Sequence, residues 1–316
     1  MKETRVTIIV VDYNSLEKTL EYIKCIFDKI TGCVISCVIV DNSDEPRIKK
    51  ILTKNNIDFN RIVLDDEEYI SFMINGFKVI YYPSRNNSGY AKGNNTGYRI
   101  ADRYFKPEYI IFSNNDLKIN DRSIDFTHYM NIFEMNSEVS VIGPRIIGLH
   151  GELQSPYKKT SIWNSVIAYN LLWPLHKLGI PLFKFDDLMK SDKSSFCYWV
   201  QGSFFIIKSI DFKNINGFDE NTFLYCEEMI LAERLKKIDK KMYYDNRYTL
   251  IHEHGGSTKK SMRLLDREKK SLDSRMYYYR NYMGVNSLTI YLGYMSFYIY
   301  CLKKKIQIMV DNKTGD

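Results

Sequence analysis

The chain has 316 residues, 45% of them hydrophobic and 26% charged, which is the balance of a globular protein with a full core. Its net charge of +7 is dispersed and too small for a dedicated nucleic-acid binder, although it suits an anionic nucleotide or an anionic membrane surface. The six cysteines form neither a CxxC pair nor a zinc-binding cluster, and no secretion signal precedes the first apolar run. We therefore expect a cytoplasmic protein without a nucleic-acid partner.

Short apolar runs rich in β-branched residues alternate with helical patterns in the first third of the chain. Such runs predict strands buried on both faces, and they occur at 6–11, 37–40, 79–82 and 109–112. Leu16, Leu20, Ile23 and Phe27 recur at helical spacing after the first run. The alternation predicts right-handed βαβ units and an α/β fold, with a mostly parallel, Rossmann-like sheet flanked by helices. We interpret 57–78 as an insertion that forms a solvated loop.

Polar side chains follow the carboxyl ends of these strands, where open parallel sheets bind their ligands. Asp12 and Asn14 follow the first strand, Asp41 follows the second, and an Asn-Asn-Asp sequence at 114–116 follows the fourth. The segment 87–95 contains two glycines, which we interpret as places where the backbone approaches a ligand, and it begins a helix whose N–H groups could meet phosphate. This edge predicts a nucleotide-type site, and helix capping is the structural alternative for the aspartates.

Two adjacent carboxylates, Glu227 and Glu228, begin a predicted helix. A partly buried carboxylate beside another one has a raised pKa, which suits a general base. Both acids would also be favoured at a helix start by the helix dipole, and the two interpretations are compatible. The run at 199–207 predicts a further strand. The less regular segment 150–195 is either an acceptor lid or a packed helical excursion.

The C-terminal region contains an apolar, tyrosine-rich run at 288–302 that is followed by three lysines. Tyrosine prefers the bilayer interface, so a helix lying on the membrane with basic anchors fits this run better than a spanning helix. The alternative is a helix packed on the rest of the protein, with Tyr291, Tyr294 and Tyr298 hidden on one face.

Together these motifs resemble the inverting glycosyltransferases of family 2, and most closely their rhamnosyltransferase-like and galactofuranosyltransferase-like branch. The matching segments follow the family's order and lie at 11–14, 40–43, 87–97, 112–116, 202, 217–220, 223–228, 252 and 255–257. The resemblance implies a GT-A fold over 1–260, with an insertion at about 150–195, and a C-terminal helical extension over 261–316.

The resemblance also implies roles for individual residues. Glu228 matches the catalytic base, with Glu227 beside it, and Asp116 and His252 match the ligands of a divalent cation, Mn²⁺ or Mg²⁺. His254 is a rival to His252. Nucleotide-sugar binding is implied for Asp12, Asn14, Asp41, Asn87, Gly89, Asn95, Asn115 and Asp116, and acceptor binding for Trp199, Gln201 and Gly202. The chain departs from the family where 114–116 keeps one carboxylate of a motif often written DxD, and where Glu-Glu replaces Glu-Asp.

The implied function is metal-dependent, inverting transfer of a sugar from a UDP- or dTDP-sugar. The resemblance favours rhamnose or galactofuranose, and galactose, glucose and an N-acetylhexosamine stay open. The acceptor would be a hydroxyl of a growing, lipid-linked bacterial surface polysaccharide such as a capsule or O-antigen, and the enzyme would lie at the inner face of the cell membrane. One alternative is a nucleotidyltransferase, which would need a basic, glycine-rich loop in place of residues 12–15. The other is a catalytically impaired glycan-binding or scaffold protein, which the single carboxylate at 114–116 would favour.

Overall fold

The elements below come from a computed structural model that describes residues 3–64, 67–119, 123–172, 188–189, 192–253 and 264–313. The strands are β1 (Arg5–Asp12), β2 (Ile30–Thr31), β3 (Val34–Asp41), β4 (Phe59–Leu64), β5 (Glu67–Ile74), β6 (Phe77–Pro83), β7 (Tyr109–Ser113), β8 (Leu117–Ile119), β9 (Ile124–Asp125), β10 (Val139–Gly148), β11 (Ser195–Cys197), β12 (Phe204–Lys208) and β13 (Lys241–His252). The helices are α1 (Leu16–Lys29), α2 (Ile48–Lys54), α3 (Gly89–Tyr104), α4 (Phe126–Met135), a π-helical segment (Trp163–Ala168), α5 (Ser209–Asn214), α6 (Glu227–Lys236), α7 (Leu264–Asn281) and α8 (Ser287–Lys313).

One mixed sheet organises the protein, with strands in the order β11–β13–β10–β12–β7–β1–β3–β6–β5–β4 and β8 paired to β13. Its centre is parallel, because β7, β1, β3 and β6 all run in the same direction. Apart from Val34 at the start of β3, the apolar side chains of β1 and β3 are mostly buried because helices cover both faces of the sheet. The four predicted central strands and the α/β class are confirmed.

Two local expectations were wrong. The segment 57–78 is not a solvated loop, because β4 and β5 form an antiparallel hairpin that extends the sheet beyond β6. Ile70 and Phe72 of this hairpin are buried in the core on one side of the sheet, and Tyr69 is buried in the core on the other side. The strand predicted over 199–207 begins only at Phe204, since the preceding residues turn into the cavity described below.

The C-terminal helices share a core with the start of α6. This core contains Ile167 of the π-helical segment, Met229 and Ile230 of α6, Met276 of α7 and Ile290 of α8. The helix that begins with the two acids is therefore packed between the sheet and the C-terminal helices. The division of the chain at about residue 260 stays a prediction.

Candidate active site

Asp12, at the end of β1, is fully buried and links three elements of the sheet edge. Its Oδ2 accepts the Ser15 backbone N–H at 3.2 Å, and its Oδ1 accepts the Ser15 hydroxyl at 2.7 Å and the Thr19 hydroxyl at 2.5 Å. The Asn115 side-chain amide also donates to Asp12 Oδ1, at 3.2 Å, and to Thr19 Oγ1, at 2.6 Å. Burial raises the pKa of Asp12 despite these donors. Asp12 therefore caps the start of α1 and joins it to the turn after β7.

Asp41 ends the neighbouring strand and is also buried. Its Oδ1 accepts the backbone N–H of Ser43 at 2.9 Å and its Oδ2 accepts the Tyr81 hydroxyl at 2.5 Å. The exposed Asn14 has a left-handed backbone, with φ of 56°, and donates its N–H to Ser43 Oγ at 2.8 Å. A cavity of about 770 Å³ lies at this edge, and its wall includes Asn14, Ser15, Lys18, Asp41, Ser43, Arg47, Lys50 and Lys54.

The segment 87–95 joins the sheet edge to the loop ahead of the two acids. Gly89 has φ of +83°, and a Cβ there would lie 2.4 Å from the carbonyl oxygen of Phe223. The Tyr90 N–H donates to that oxygen at 3.1 Å, while Asn87, which is exposed, accepts the Gly89 N–H at 3.2 Å. The close backbone approach predicted for this glycine is therefore made to residue 223 of the same chain.

Asn95 lies on α3 and contacts the turn at 217–220. Its amide donates to the Phe218 carbonyl at 3.0 Å and to Glu220 at 2.9 Å, and its carbonyl accepts the Phe218 N–H at 2.9 Å. These three bonds attach α3 to the turn at 217–220. We propose a structural role for Asn95 rather than contact with a nucleotide.

Asp116 and His252 meet where β8 pairs with the end of β13, and Asp116 Oδ1 lies 3.2 Å from His252 Nε2. His252 is buried, and its Nδ1 lies 2.9 Å from Oε1 of Gln154. Burial raises the pKa of Asp116, but the hydrogen bond and charge of His252, together with the charge of Lys18, bring it below its usual range. His254 and the glycines after it lie outside the described residues.

The Asp116–His252 pair fits a divalent cation. Two ligands bound at right angles with bonds slightly over 2 Å lie roughly 3 Å apart, which is the separation of this oxygen and nitrogen. Oε1 of Gln154 lies within hydrogen-bond distance of the other ring nitrogen of His252, and a hydrogen bond of this kind orients a histidine that binds a metal. Within the described part of the chain, no group of three or more acidic, histidine or cysteine side chains could hold a metal ion. A divalent cation would need further ligands beyond this pair.

Glu227 and Glu228 begin α6 after two residues with left-handed backbones, Tyr225 with φ of 75° and Cys226 with φ of 69°. Such a pair is unfavourable for residues other than glycine, so the surrounding packing must hold it. Burial raises the pKa of Glu228 to about 7, although the backbone N–H groups of Glu228 and Gly202 oppose this shift. Burial and the charge of Glu228 raise the pKa of Glu227 well above its usual range.

Glu228 is partly accessible, whereas Glu227 is only 4% exposed. A Cβ at Gly202 would lie 1.7 Å from Glu228 Oε1, so only glycine leaves room for this carboxylate. The Tyr90 hydroxyl donates to the Gly202 carbonyl at 2.8 Å and fixes this turn. The chemistry of Glu228 is therefore that of a carboxylate able to take a proton near neutral pH.

A cavity of about 360 Å³ opens in front of these acids, and its wall includes Tyr90, Asn114, Tyr157, Ser165, Trp199, Gln201, Gly202, Glu227, Glu228, Ser271, Arg275 and Tyr279. The three residues expected on the acceptor side thus surround the same cavity as the two acids. The Trp199 ring stacks on Tyr157, with ring centroids 3.7 Å apart, so one of its faces is already covered.

Sequence reasoning missed the side of this cavity that α7 provides, with Ser271, Arg275 and Tyr279. No motif marks these residues, and only the packing of α7 brings them to Glu228. It also missed Gln154, whose contact with His252 depends on a loop far from it in the sequence.

Of the segment 150–195, residues 173–187 and 190–191 lie outside the described residues. The described part both packs in the core and lines the cavity.

The raised pKa of Glu228 predicts a stability that depends on pH. The folded state binds this proton more tightly than the unfolded chain, whose glutamate has a pKa of 4.5, so the stabilisation is complete below about pH 4.5 and is lost as the pH rises through about 7. Glu228→Gln cannot ionise and is expected to raise the free energy of unfolding at pH 8 by about 1–3 kcal/mol, with little change at pH 4.5. Urea unfolding at both pH values measures this.

The exposed Glu134 of α4 provides the matched control, since Glu134→Gln should leave the pH dependence unchanged. A Glu228→Gln protein less stable than the parent at pH 8 would show that the hydrogen bonds of the carboxylate outweigh its burial.

No protein-family model matches the chain. Two curated proteins are similar to it in sequence. Rhamnosyltransferase WbbL from Escherichia coli K12 is 25% identical over 231 residues, which cover 69% of this chain and 83% of WbbL. The low-salt glycan biosynthesis hexosyltransferase Agl10 from Haloferax volcanii is 27% identical over 233 residues, which cover 73% of this chain and 61% of Agl10. The match thus spans less than two thirds of Agl10.

Solved structures share the fold at low sequence identity. GalNAc-T7, crystallised with UDP, GalNAc and Mn²⁺, superposes with a TM-score of 0.53 at 11% identity, over 81% of this chain and 44% of GalNAc-T7. Residues 1–349 of Staphylococcus aureus TarS, in complex with UDP-GlcNAc, superpose with a TM-score of 0.50 at 14% identity, over 91% of this chain and 69% of that one. These likenesses identify the GT-A arrangement of the sheet and its helices.

Proposed function

Because the chain is a glycosyltransferase of the GT-A fold that resembles family 2, we propose that it is an inverting hexosyltransferase of glycan biosynthesis. The donor is a UDP- or dTDP-sugar, with rhamnose or galactofuranose as the transferred sugar. The acceptor is a hydroxyl of a growing, lipid-linked bacterial surface polysaccharide. The name of WbbL supports rhamnose as the sugar, and the name of Agl10 supports a role in glycan biosynthesis. The UDP and UDP-GlcNAc bound to the structural neighbours support a nucleotide-sugar donor.

The observation that carries the proposal is the partly accessible Glu228, whose pKa is about 7, in the wall of a sugar-sized cavity. Glu228 takes the proton of the acceptor hydroxyl while that oxygen bonds to the anomeric carbon. The bond from the anomeric carbon to the diphosphate breaks at the same time, and its electron pair leaves with the nucleotide. Burial and the charge of Glu228 raise the pKa of Glu227, which lies beside the base.

The strand-end residues would bind the donor. Asp116 and His252 would hold a divalent cation, Mn²⁺ or Mg²⁺, which when bound would neutralise charge on the departing diphosphate. Asp41 and Asn14 line the 770 Å³ cavity beside them. Its wall also contains Lys50, a cation suited to an anionic nucleotide, while Arg47 and Lys54 pair with Glu45 and Glu17 of the same wall. Asp12 and Asn115 act indirectly, since their hydrogen bonds fix the turn that carries Asp116.

A peripheral membrane contact completes the proposal. Seven exposed side chains recur at helical spacing along α8: Leu288, Tyr291, Leu292, Met295, Tyr298, Ile299 and Leu302. The opposite face, with Ile290 and Tyr300, is packed on the protein. Of the three tyrosines that the packed alternative placed on one hidden face, Tyr294 packs against this core, whereas Tyr291 and Tyr298 are exposed. Among the described residues, no helix is both long and apolar enough to cross a bilayer. We propose that this stripe lies on the inner face of the cell membrane.

Replacement of the base tests the catalytic assignment. Glu228→Gln keeps the size of the side chain but cannot take a proton, so sugar transfer is expected to fall at least about 100-fold. Binding of UDP, measured by titration calorimetry, should change less than twofold. Glu134→Gln should transfer sugar like the parent. Retained transfer by Glu228→Gln would refute the assignment, and UDP binding without any transfer by the parent would favour the scaffold alternative.

The cation proposal predicts a metal-dependent affinity for the donor diphosphate. With Mn²⁺ present, Asp116→Asn is expected to bind UDP at least tenfold more weakly than the parent, because the amide is a poorer ligand than a carboxylate. Without divalent cations, the two proteins should bind UDP alike. Equal UDP binding by the parent with Mn²⁺ and with a chelator would reject the cation.

The membrane proposal predicts binding to anionic vesicles through α8. The double substitution Tyr291→Glu with Tyr298→Glu places two charges in the apolar stripe and should lower co-sedimentation with phosphatidylglycerol vesicles at least fivefold. Met135→Glu introduces a charge at an even more exposed apolar residue, on α4, and serves as the control. Equal sedimentation of the double variant and the parent would rule out this surface.

A further inference from the structure

Arg275 of α7 is a half-buried cation in the wall of the cavity that contains Glu228. Its Nη1 donates to the carbonyl oxygen of Ser165 at 3.0 Å. Within the described part of the chain, no carboxylate lies in ion-pair distance of Arg275, whereas the similarly buried Arg234 lies 3.5 Å from Asp219. A guanidinium withdrawn from water without a counter-ion is unfavourable, so Arg275 is suited to an anionic ligand.

A second cavity, of about 310 Å³, meets the first at Arg275. Both are lined by Ser165, Ser271 and Arg275, and the second continues between the π-helical segment, α7 and α8. Its further wall is mainly apolar and aromatic, with Val166, Tyr169, Leu272, Phe297 and Tyr300. Arg275 thus lies where the cavity that contains Glu228 meets a second cavity with aromatic and aliphatic side chains in its wall.

The acidic group in the second cavity is already neutralised. Glu268 accepts a hydrogen bond from Lys304 at 2.8 Å, and this pair is removed from Arg275 by a full turn or more of α7. Arg275 therefore offers a cation to a ligand at the junction of the two cavities. A guanidinium offers paired N–H donors that match the oxygens of a phosphoryl group.

We propose that Arg275 binds a phosphoryl group of the acceptor, whose apolar chain lies in the second cavity and whose hydroxyl reaches Glu228. This inference rests on the proposed function and deepens it by naming the acceptor class, a phosphorylated lipid. The second cavity is lined in part by α8, the same helix that carries the exposed apolar stripe. A lipid chain held in that cavity would therefore lie beside the surface that we propose contacts the bilayer.

Titration calorimetry of the full chain at saturating UDP tests the proposal, with geranyl phosphate as the probe and geraniol and inorganic phosphate as its two halves. Saturating UDP keeps the probe out of the donor site. The parent is expected to bind geranyl phosphate at least tenfold more tightly than either half. Arg275→Gln should lose at least tenfold in affinity for geranyl phosphate but not for geraniol, and Arg275→Lys should lose less.

Arg280→Gln is the matched control, because Arg280 is an exposed arginine of the same helix, and it should bind geranyl phosphate like the parent. Equal affinity of the parent for geranyl phosphate and geraniol, or unchanged binding by both Arg275 variants, would overturn the proposal. Inorganic phosphate binding as tightly as geranyl phosphate would overturn the lipid assignment in favour of free phosphate. Failure of the parent to bind UDP would instead count against the proposed function.

Discussion

The burial of two adjacent carboxylates at the start of α6 is the constraint on which the rest of the site depends. Withdrawal from water raises the pKa of Glu228 to about 7 and that of Glu227 well above its usual range, so the pair is tolerated only where other groups compensate. The helix start and the backbone N–H of Gly202 provide part of this compensation. The left-handed turn at Tyr225 and Cys226, which precedes the two acids, packs against the C-terminal helices. A carboxylate that lowers stability in this way is also one suited to accept a proton near neutral pH.

Hydrogen bonds between distant segments hold the carboxylates in place. The backbone of Phe223 accepts the Tyr90 N–H, and the Tyr90 hydroxyl in turn reaches the carbonyl of Gly202, which leaves room for Glu228. At the sheet edge, Asp12 plays the corresponding part by joining β1, α1 and the turn that carries Asp116. The donor side of the proposed site is thus built on strand ends, and the acceptor side on the C-terminal helices.

The sequence predicted some elements well and others poorly, for physical reasons. The central strands were found because burial on both faces leaves a continuous β-branched run, which is a local signal. The β4–β5 hairpin was missed because the acidic residues at 65–68 interrupt its apolar residues in the sequence, and only pairing with β6 buries them. Gly89 was interpreted as a place where the backbone approaches a ligand, whereas the close approach in the structure is to Phe223 of the same chain, which no local pattern indicates.

The sequence by itself determined the α/β class, the strand ends and the residue types gathered there, because each is encoded by short-range periodicity or by a motif. Only the tertiary structure decided which atoms meet. It brought Asp116 to His252, directed Asn95 to the turn at 217–220, placed Arg275 at the junction of two cavities and chose the face of α8 that stays exposed. These outcomes depend on how segments far apart in the chain pack together, and a local pattern records that a side chain is polar or apolar without recording its partner.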